Sequence, residues 1–314
     1  MGGDGAAAPP ILVTGATGNV GRPLVRALLA GGHAVRALAT DPARAAAVLG
    51  AEGGERLSVA RLSFARLSFA RLDFGDPATF AAAFGGAEAL FLMRPPAIGD
   101  AAVVVRALEA ARAGGVRRVA FLSVQGAERN PVVPHHAIER HLLRAAADDG
   151  AFAPTLLRPA FFMQNLSTTH AADVRERGEL FVPAGDGRTA FVDARDVGAA
   201  AARVLGARGA EAAAHAGRGY TLTGREALTY DEVAEILTRV LGRRIVYARP
   251  GALRFYRAMR RRGHPRGFAA VMVALYTTAR LGLAGELSPE LEQLLGRAPT
   301  GLATFARDHA AAWQ

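Results

Sequence analysis

The run Thr14-Gly15-Ala16-Thr17-Gly18-Asn19-Val20-Gly21 constrains the fold of this 314-residue chain more than any other feature. The apolar stretch Ile11-Leu12-Val13 precedes it, and Val20, Leu24, Leu28 and Leu29 follow at helical spacing. A buried strand that passes through three glycines into a helix has few uses. Gly15 admits the tight turn, Gly18 lets the backbone approach a diphosphate with no Cβ in the way, and Gly21 lets the helix pack close to the strand. The amides that open the helix then face the anion. The run, with Thr17, Asn19 and Val20 between its glycines, is expected to hold a pyrophosphate.

Beyond it, β-rich runs alternate with helical patterns, the mark of βαβ units and a parallel sheet. Strands are expected over 34–39, at a segment ending near Leu72, and over 89–93, 118–124 and 155–158. Helices are expected over 42–49, 78–84, 101–113 and 136–147. The second half predicts a short hairpin around Phe181 and Phe191, a helix from Val197, strands over 219–223 and 244–247, and helices over 230–241 and the last sixty-odd residues. The fold class is therefore α/β, a Rossmann-type doubly wound parallel sheet with a smaller C-terminal α+β substrate lobe. The expected division is a loose tail over 1–10, a dinucleotide-binding domain over 11–160 and a mostly helical lobe over 161–314. That lobe is expected to pack on the sheet's carboxyl edge, where open α/β sheets bind ligands.

Residues 56–75 write a pentad beginning Arg-Leu four times. An odd period turns each copy's Leu and Phe to the opposite face of a strand from the copy before. The last copy, 71–75, is expected to fill the third-strand slot, because Asp73 and the helix start at Pro77 follow it. The earlier copies then form an extended or looped insert without function.

Composition removes whole classes of chemistry. With no cysteine, the chain has no disulfide, thiolate nucleophile, Cys-based zinc site or iron–sulfur cluster. Its apolar stretches are short or broken by Gly and Pro, which argues against a membrane span, and no secretory leader is evident, so a cytoplasmic location is expected. The net charge of +10 comes entirely from arginine among the basic residues. Apart from Arg254, Arg257, Arg260, Arg261, Arg262 and Arg266, which share a predicted helix region with Phe255, Tyr256 and Met259, the arginines are spread along the chain. A solvated helix face explains that cluster, ahead of an anionic substrate or partner or DNA. The expected partner is a small-molecule substrate, with no nucleic acid and no membrane, for a monomer or homodimer. No metal site is expected, since adjacent His135 and His136 point about 100° apart on a helix. Ser123 also lacks the G-x-S-x-G elbow of a hydrolase.

The glycine octet resembles the T-G-x-T-G-x-x-G turn of extended and atypical short-chain dehydrogenases. Further stretches resemble the NmrA-like branch: Ala89 to Pro96, Leu122 to Glu128, Leu157 to Asn165, Phe191 to Val197, and Tyr220 to Gly224. The resemblance implies NAD(P)(H) binding. By position it implies that Asp73 and Phe74 flank adenine, that Met93, Arg94 and Pro95 border the adenine-side ribose, and that Ser123, Val124 and Gln125 lie near the nicotinamide ribose. Pro159, Ala160 and Phe161 would border the nicotinamide, and Phe162, Met163 and Asn165 would face substrate, with core packing the simpler reading for the Phe and Met. Reductases of this branch often carry Arg at the end of the second strand. Here that place is Thr40, followed by Asp41, which is either a ribose ligand or a helix cap. With Arg44 on the next helix and Arg36 on the Thr40 face of the strand, NADP(H) is favoured over NAD(H).

Short-chain dehydrogenases use a Ser, a Tyr and a Lys four residues on. This chain has no Lys, and its five Tyr all lie at position 220 or later. Pro131 and His135 fall roughly where the Tyr and Lys would be, while Ser123 remains at its strand end. Without that acid/base, alcohol–ketone interconversion is slow. The expected activity is hydride transfer to a quinone, enone, azo or extended aromatic acceptor, with His135 and Ser123 as candidate catalytic groups, since imidazole titrates near neutrality. The alternatives are a non-catalytic NAD(P)(H) sensor and a biosynthetic enzyme with non-standard chemistry.

Overall fold

A computed structural model describes residues 8–51 and 66–314. Its strands, in chain order, are β1 Ile11–Thr14, β2 Val35–Ala39, β3 Leu67–Arg71, β4 Ala89–Met93, β5 Arg118–Leu122, β6 Ala153–Pro159, β7 Phe161–Phe162, β8 Glu179–Leu180, β9 Thr189–Val192, β10 Gly219–Leu222, β11 Ala227–Leu228 and β12 Val246–Tyr247. The helices are α1 Gly21–Ala30, α2 Pro42–Ala51, α3 Phe80–Phe84, α4 Ala101–Ala113, α5 Pro134–Asp148, α6 Gln164–Ser167, α7 Ala171–Arg177, α8 Ala194–Gly206, α9 Gly209–His215, α10 Tyr230–Leu241, α11 Ala252–Arg261, α12 Arg266–Arg280, α13 Glu290–Leu295 and α14 Leu302–Asp308. The chain divides into two compact units, Met1–Pro159 with Val197–Thr221 and Ala160–Asp196 with Leu222–Gln314.

The first unit is built on a seven-stranded sheet in the order β10-β6-β5-β4-β1-β2-β3, with every pairing from β6 to β3 parallel. The chain starts in the middle and winds outward in both directions, so the carboxyl ends of β1, β2, β4 and β5 share one edge. All four β1 residues are buried, as in a sheet covered on both faces. Leu12, Leu90 and Phe121 of the sheet meet Val104 and Leu108 of α4 and Ile138 and Leu142 of α5 in one core. On α1 the buried side is Gly21, Leu24, Val25 and Leu28, the face that the apolar spacing predicts. Segment 197–221 belongs to this unit rather than to the C-terminal lobe. Its α9 and β10 flank β6, with the Thr155 hydroxyl donating to the His215 carbonyl at 2.9 Å.

Two sequence expectations need correction. The third-strand slot is filled by the third pentad copy, in register from Val35↔Leu67 to Ala39↔Arg71. The last copy begins at the strand's final residue and turns away: the Asp73 carboxylate accepts from Gly75 N at 2.9 Å, and Asp76 caps a short 3-10 turn over Pro77–Thr79. β3 is an edge strand with both faces only partly covered, so burial does not select a copy there. Leu72 and Phe74 instead enter the core just beyond it. The first two copies lie outside the described residues, as does most of the tail. Phe181 and Phe191 also do not form a hairpin. β8 pairs in parallel with β12, while β9 lies between β11 and β7, because each phenylalanine packs on a ring distant in sequence.

The second unit gathers Phe191, Tyr230, Phe255, Tyr276 and Trp313 in its own core. Thr229 and Glu232 form a capping box on α10, and the Trp313 indole donates to the Leu166 carbonyl at 2.9 Å. Buried Asp173 on α7 is held by Arg177 and by both terminal nitrogens of Arg262.

Close approach of α8 to the start of α1 depends on one missing methyl. A Cβ on Gly198 would lie 2.8 Å from the Val20 carbonyl oxygen and 2.9 Å from Leu24 N. Gly198→Ala should therefore overpack this contact and cost about 1–3 kcal/mol in urea unfolding. An unchanged unfolding midpoint would show that the helices separate freely.

Candidate dinucleotide site

The glycine turn is fixed by sterics at Gly15 and Gly21. Gly15 has φ +61°, and a Cβ on it would lie 2.0 Å from the Met93 sulfur. A Cβ on Gly21 would sit 2.1 Å from the Gly15 carbonyl oxygen, inside the strand–helix contact. Gly18 is different. A Cβ there would approach only the Gly15 oxygen, at 3.2 Å, and its outer side is open. Gly18 N donates to Gly15 O at 2.9 Å and Arg22 N to Gly18 O at 3.1 Å, so the turn winds directly into α1. No acidic side chain sits in the first turn of α1 and no side chain caps it, which leaves the positive end of the helix uncompensated. Thr17 is half-buried, Asn19 is exposed and Val20 is buried.

Thr14, which sequence reasoning did not single out, locks this turn to β4. Its hydroxyl donates to the Phe91 carbonyl at 3.0 Å and accepts from Met93 N at 2.8 Å. The start of the glycine run and the Met93-Arg94-Pro95 loop are thereby one structure.

After β2, Thr40 is exposed and Asp41 caps α2, its carboxylate accepting from Arg44 N at 3.0 Å. The cap reading of Asp41 is the one realised. Arg36 is committed elsewhere, donating to the Ala83 and Gly85 carbonyls at 3.2 and 2.7 Å. The Arg44 guanidinium is exposed and has no partner among the described residues. Phe74 lies in the core, while the half-buried Asp73 shapes the turn after β3. Arg94 folds over its own loop, donating to the Pro95 carbonyl at 3.2 Å and to that of Ile98, and burial lowers its pKa.

At the end of β5, Ser123 is 2% exposed and its Oγ has no hydrogen-bond partner, although its amide donates to the Leu157 carbonyl at 2.7 Å. A buried hydroxyl without a partner is costly unless a ligand satisfies it. Val124 and Gln125 follow, with Gln125 N donating to Pro159 O at 2.9 Å and Val124 O accepting from Ala127 N at 3.1 Å. His135, in the first turn of α5, lies against Phe121 with ring centres 6.1 Å apart. The near-neutral titration expected of it is not realised. Burial, helped by the charge of Arg94 and only partly opposed by Glu139, pushes its pKa down to about 4. Its neighbour His136 is bound through Nδ1 to the Ala127 carbonyl at 2.8 Å. Below them Arg158 makes a paired contact with buried Glu139, at 2.9 and 2.7 Å, and stands 3.3 Å from Glu128. Glu139 lies four residues from His135, a spacing that the sequence displays without revealing its partner.

The substrate-facing candidates belong to the second unit and divide there. Met163 is 2% exposed within that unit's core, so it packs rather than lines an opening. The Phe161 ring meets Phe191 edge-on at 5.6 Å. Phe162 and Asn165 are half-buried, and Ala160 N donates to Leu222 O at 2.9 Å. Among the described residues no cluster of three or more His, Asp or Glu is placed to hold a metal.

The donor set at the sheet edge fits a dinucleotide: an open glycine turn at an uncapped helix start, an unpartnered buried hydroxyl and a free guanidinium. A model of the NmrA-like family matches residues 8–280. The chain belongs to the NmrA-like family. It is 30% identical over 304 residues to an NAD(P)H azoreductase of Xenophilus azovorans, covering 96% of this chain and 99% of that one. It is 31% identical over 305 residues to a (4-alkanoyl-5-oxo-2,5-dihydrofuran-3-yl)methyl phosphate reductase of Streptomyces griseus, covering 96% and 99%. The crystal structure of an NADPH-dependent quinone oxidoreductase of Escherichia coli in complex with NADPH superposes with a TM-score of 0.78 at 28% identity, covering 96% of this chain and 99% of that one.

The Gly15 contact separates two costs, left-handed backbone and collision with Met93. Gly15→Ala should weaken NADPH binding at least about tenfold, and adding Met93→Ala should restore only part, since a positive φ still costs about 1–2 kcal/mol. Fluorescence titration with NADPH measures both. Full affinity in the single variant would mean that the turn does not hold the cofactor.

Proposed function

We propose that this chain transfers hydride from NADPH to a quinone, azo or other conjugated acceptor, without a tyrosine–lysine acid/base pair. Its full-length relatives make it an NAD(P)H-dependent oxidoreductase; the acceptor class and the residue roles are our assignment. The observation that carries it is the missing acid/base pair, with His135 in the place of its lysine buried against Phe121 and its pKa lowered to about 4. The chain has no Lys. Tyr220 is bonded to His215 at 2.8 Å, and burial raises the pKa of Tyr230, Tyr247 and Tyr276. His135 is neutral at pH 7. An acceptor reduced here must therefore carry its own negative charge by delocalisation, and the names of the relatives fit that class.

The bound nicotinamide supplies the hydride; everything else is positioning by this chain. The turn at Gly15, Gly18 and Gly21, with Thr17, Asn19 and Val20, would hold the diphosphate. Asp73 and the 93–95 loop would border the adenosine, and Ser123, Val124 and Gln125 the nicotinamide ribose. Ser123 Oγ would donate to or accept from that ribose, while neutral His135 polarises the acceptor through a ring N–H rather than as a cation. Pro159 and Ala160 would border the nicotinamide, and Phe162 and Asn165 would meet the acceptor.

Following NADPH absorbance with benzoquinones, naphthoquinones, azo dyes and simple ketones tests the assignment. Quinones should turn over and cyclohexanone should not. No step attributable to His135 should appear between about pH 5.5 and 8, since that side chain changes charge only near its lowered pKa. His135→Ala should leave NADPH affinity intact while slowing turnover. Ketone reduction with a bell-shaped optimum near neutrality would reject the reading, and tight NADPH binding with no acceptor turned over would indicate a sensor.

Arg44 carries the NADPH preference, because Arg36 is occupied and Asp41 is a cap. Arg44→Ala should raise KM for NADPH about tenfold, the loss of one charge-assisted contact, and leave KM for NADH nearly unchanged. Equal effects on both cofactors would place the 2′-phosphate elsewhere.

A further inference from the structure

The positive charge of this protein is concentrated in one segment. Residues 236–285 contain eleven arginines and no acidic residue, whereas the rest of the chain has 27 arginines against 28 acidic residues. Within that segment α11 and α12 pack on each other through a turn at Gly263, which has φ +86°. Some of the charge is spent internally: Arg262 grips buried Asp173, Arg249 contacts Asp186 and Asp231, and Arg260 donates to the His264 carbonyl. Arg257, Arg261 and Arg266 are exposed and have no partner among the described residues.

An apolar strip lies on the second helix of the same pair. Helix α12 buries Ala269, Met272, Tyr276 and Ala279 in the second unit. It also leaves Phe268, Val271 and Leu275 at 40%, 65% and 39% exposure, at i, i+3 and i+7 on one side of the helix. Leu281 and Leu283, just past its end, are 67% and 71% exposed, and Leu253 at the start of α11 is 60% exposed. Single exposed leucines are ordinary; a run of large apolar side chains flanked by unpaired cations marks a contact surface.

We infer that the α11–α12 hairpin docks the protein on the surface of an anionic phospholipid bilayer. The occupant must be negative, because the segment holds no carboxylate that a second copy could use to pair these arginines, and two such faces would repel. Nucleic acid would match the charge but leave Phe268, Val271 and Leu275 in water. A bilayer interface takes both, with guanidinium groups at the lipid phosphates and apolar side chains at the headgroup–acyl boundary. The contact is peripheral: no described helix is long and apolar enough to cross a membrane. The docking does not depend on which acceptor is reduced.

Co-sedimentation of the full chain with vesicles tests this, comparing phosphatidylcholine alone with the same lipid containing about one third phosphatidylglycerol. Binding should require the anionic lipid and fall steeply with salt. Val271→Asp with Leu275→Asp should weaken it at least about tenfold, and Arg257→Gln with Arg261→Gln by about fivefold per arginine. Melting temperature and NADPH affinity monitor folding, and the arginine pair, being solvent-exposed, remains a fair test if the apolar pair fails to fold. Absence of binding at low salt, equal binding to neutral vesicles, or full retention by a folded variant would overturn the proposal. So would a dimer in solution that Val271→Asp dissociates, or binding to duplex DNA with none to vesicles.

Discussion

The site depends on the short interval between Gly15 and Met93. A left-handed glycine with no Cβ lets the Met93 side chain lie across the end of β1, and the Thr14 hydroxyl donates to the Phe91 carbonyl and accepts from the Met93 amide. Two adjacent strand ends are thus fixed as one surface, with the start of α1 aimed outward over it. Gly21 and Gly198 extend the same requirement by allowing α1 to approach its own strand and α8 to approach α1. A helix start that carries no acidic residue and no side-chain cap leaves its positive end open to an anion.

Charge on this edge follows from burial. Desolvation of His135 outweighs the pull of the Glu139 charge, which Arg158 pairs through both oxygens, and the charge of Arg94 adds to the lowering. The imidazole therefore stays neutral. The chain has no lysine to supply an ammonium group beside it.

Much of the first unit was legible in the sequence because its signals are local and agree with one another. The glycine octet lies between a buried strand and an amphipathic helix, the strand at 89–93 is a continuous apolar run, and the helix at 101–113 follows its apolar period. What could not be read depends on partners remote in sequence. The pentad repeats one strand pattern at an edge where both faces are partly exposed, so its register rests on pairing with β2 rather than on burial. Phe181 and Phe191 look like a hairpin because they are close in sequence, yet each packs against a ring outside that interval. At the site, Asp41 and Arg36 illustrate the same point. A carboxylate and a guanidinium near a glycine-rich turn suggest ligands, but Asp41 caps the helix it precedes and Arg36 closes the end of α3. Met163 is likewise drawn into a core that only the folded second unit defines.

Arginine in this chain carries two kinds of information, and only position separates them. Using arginine for every basic residue is a property of composition and says nothing about partners. Segregating eleven arginines into a stretch free of carboxylates does, because a random distribution of the 28 acidic residues over 314 positions would place several there. Like charges crowded on one hairpin destabilise it unless they are neutralised, and α7 supplies one internal carboxylate, Asp173, which pairs Arg262 of the hairpin as well as Arg177 of its own helix. The fold thus offsets the repulsion where side chains are buried and leaves Arg257, Arg261 and Arg266 facing outward. That residual field persists only because the energy of self-repulsion in water is small at this exposure, which leaves it free to act on an external anion.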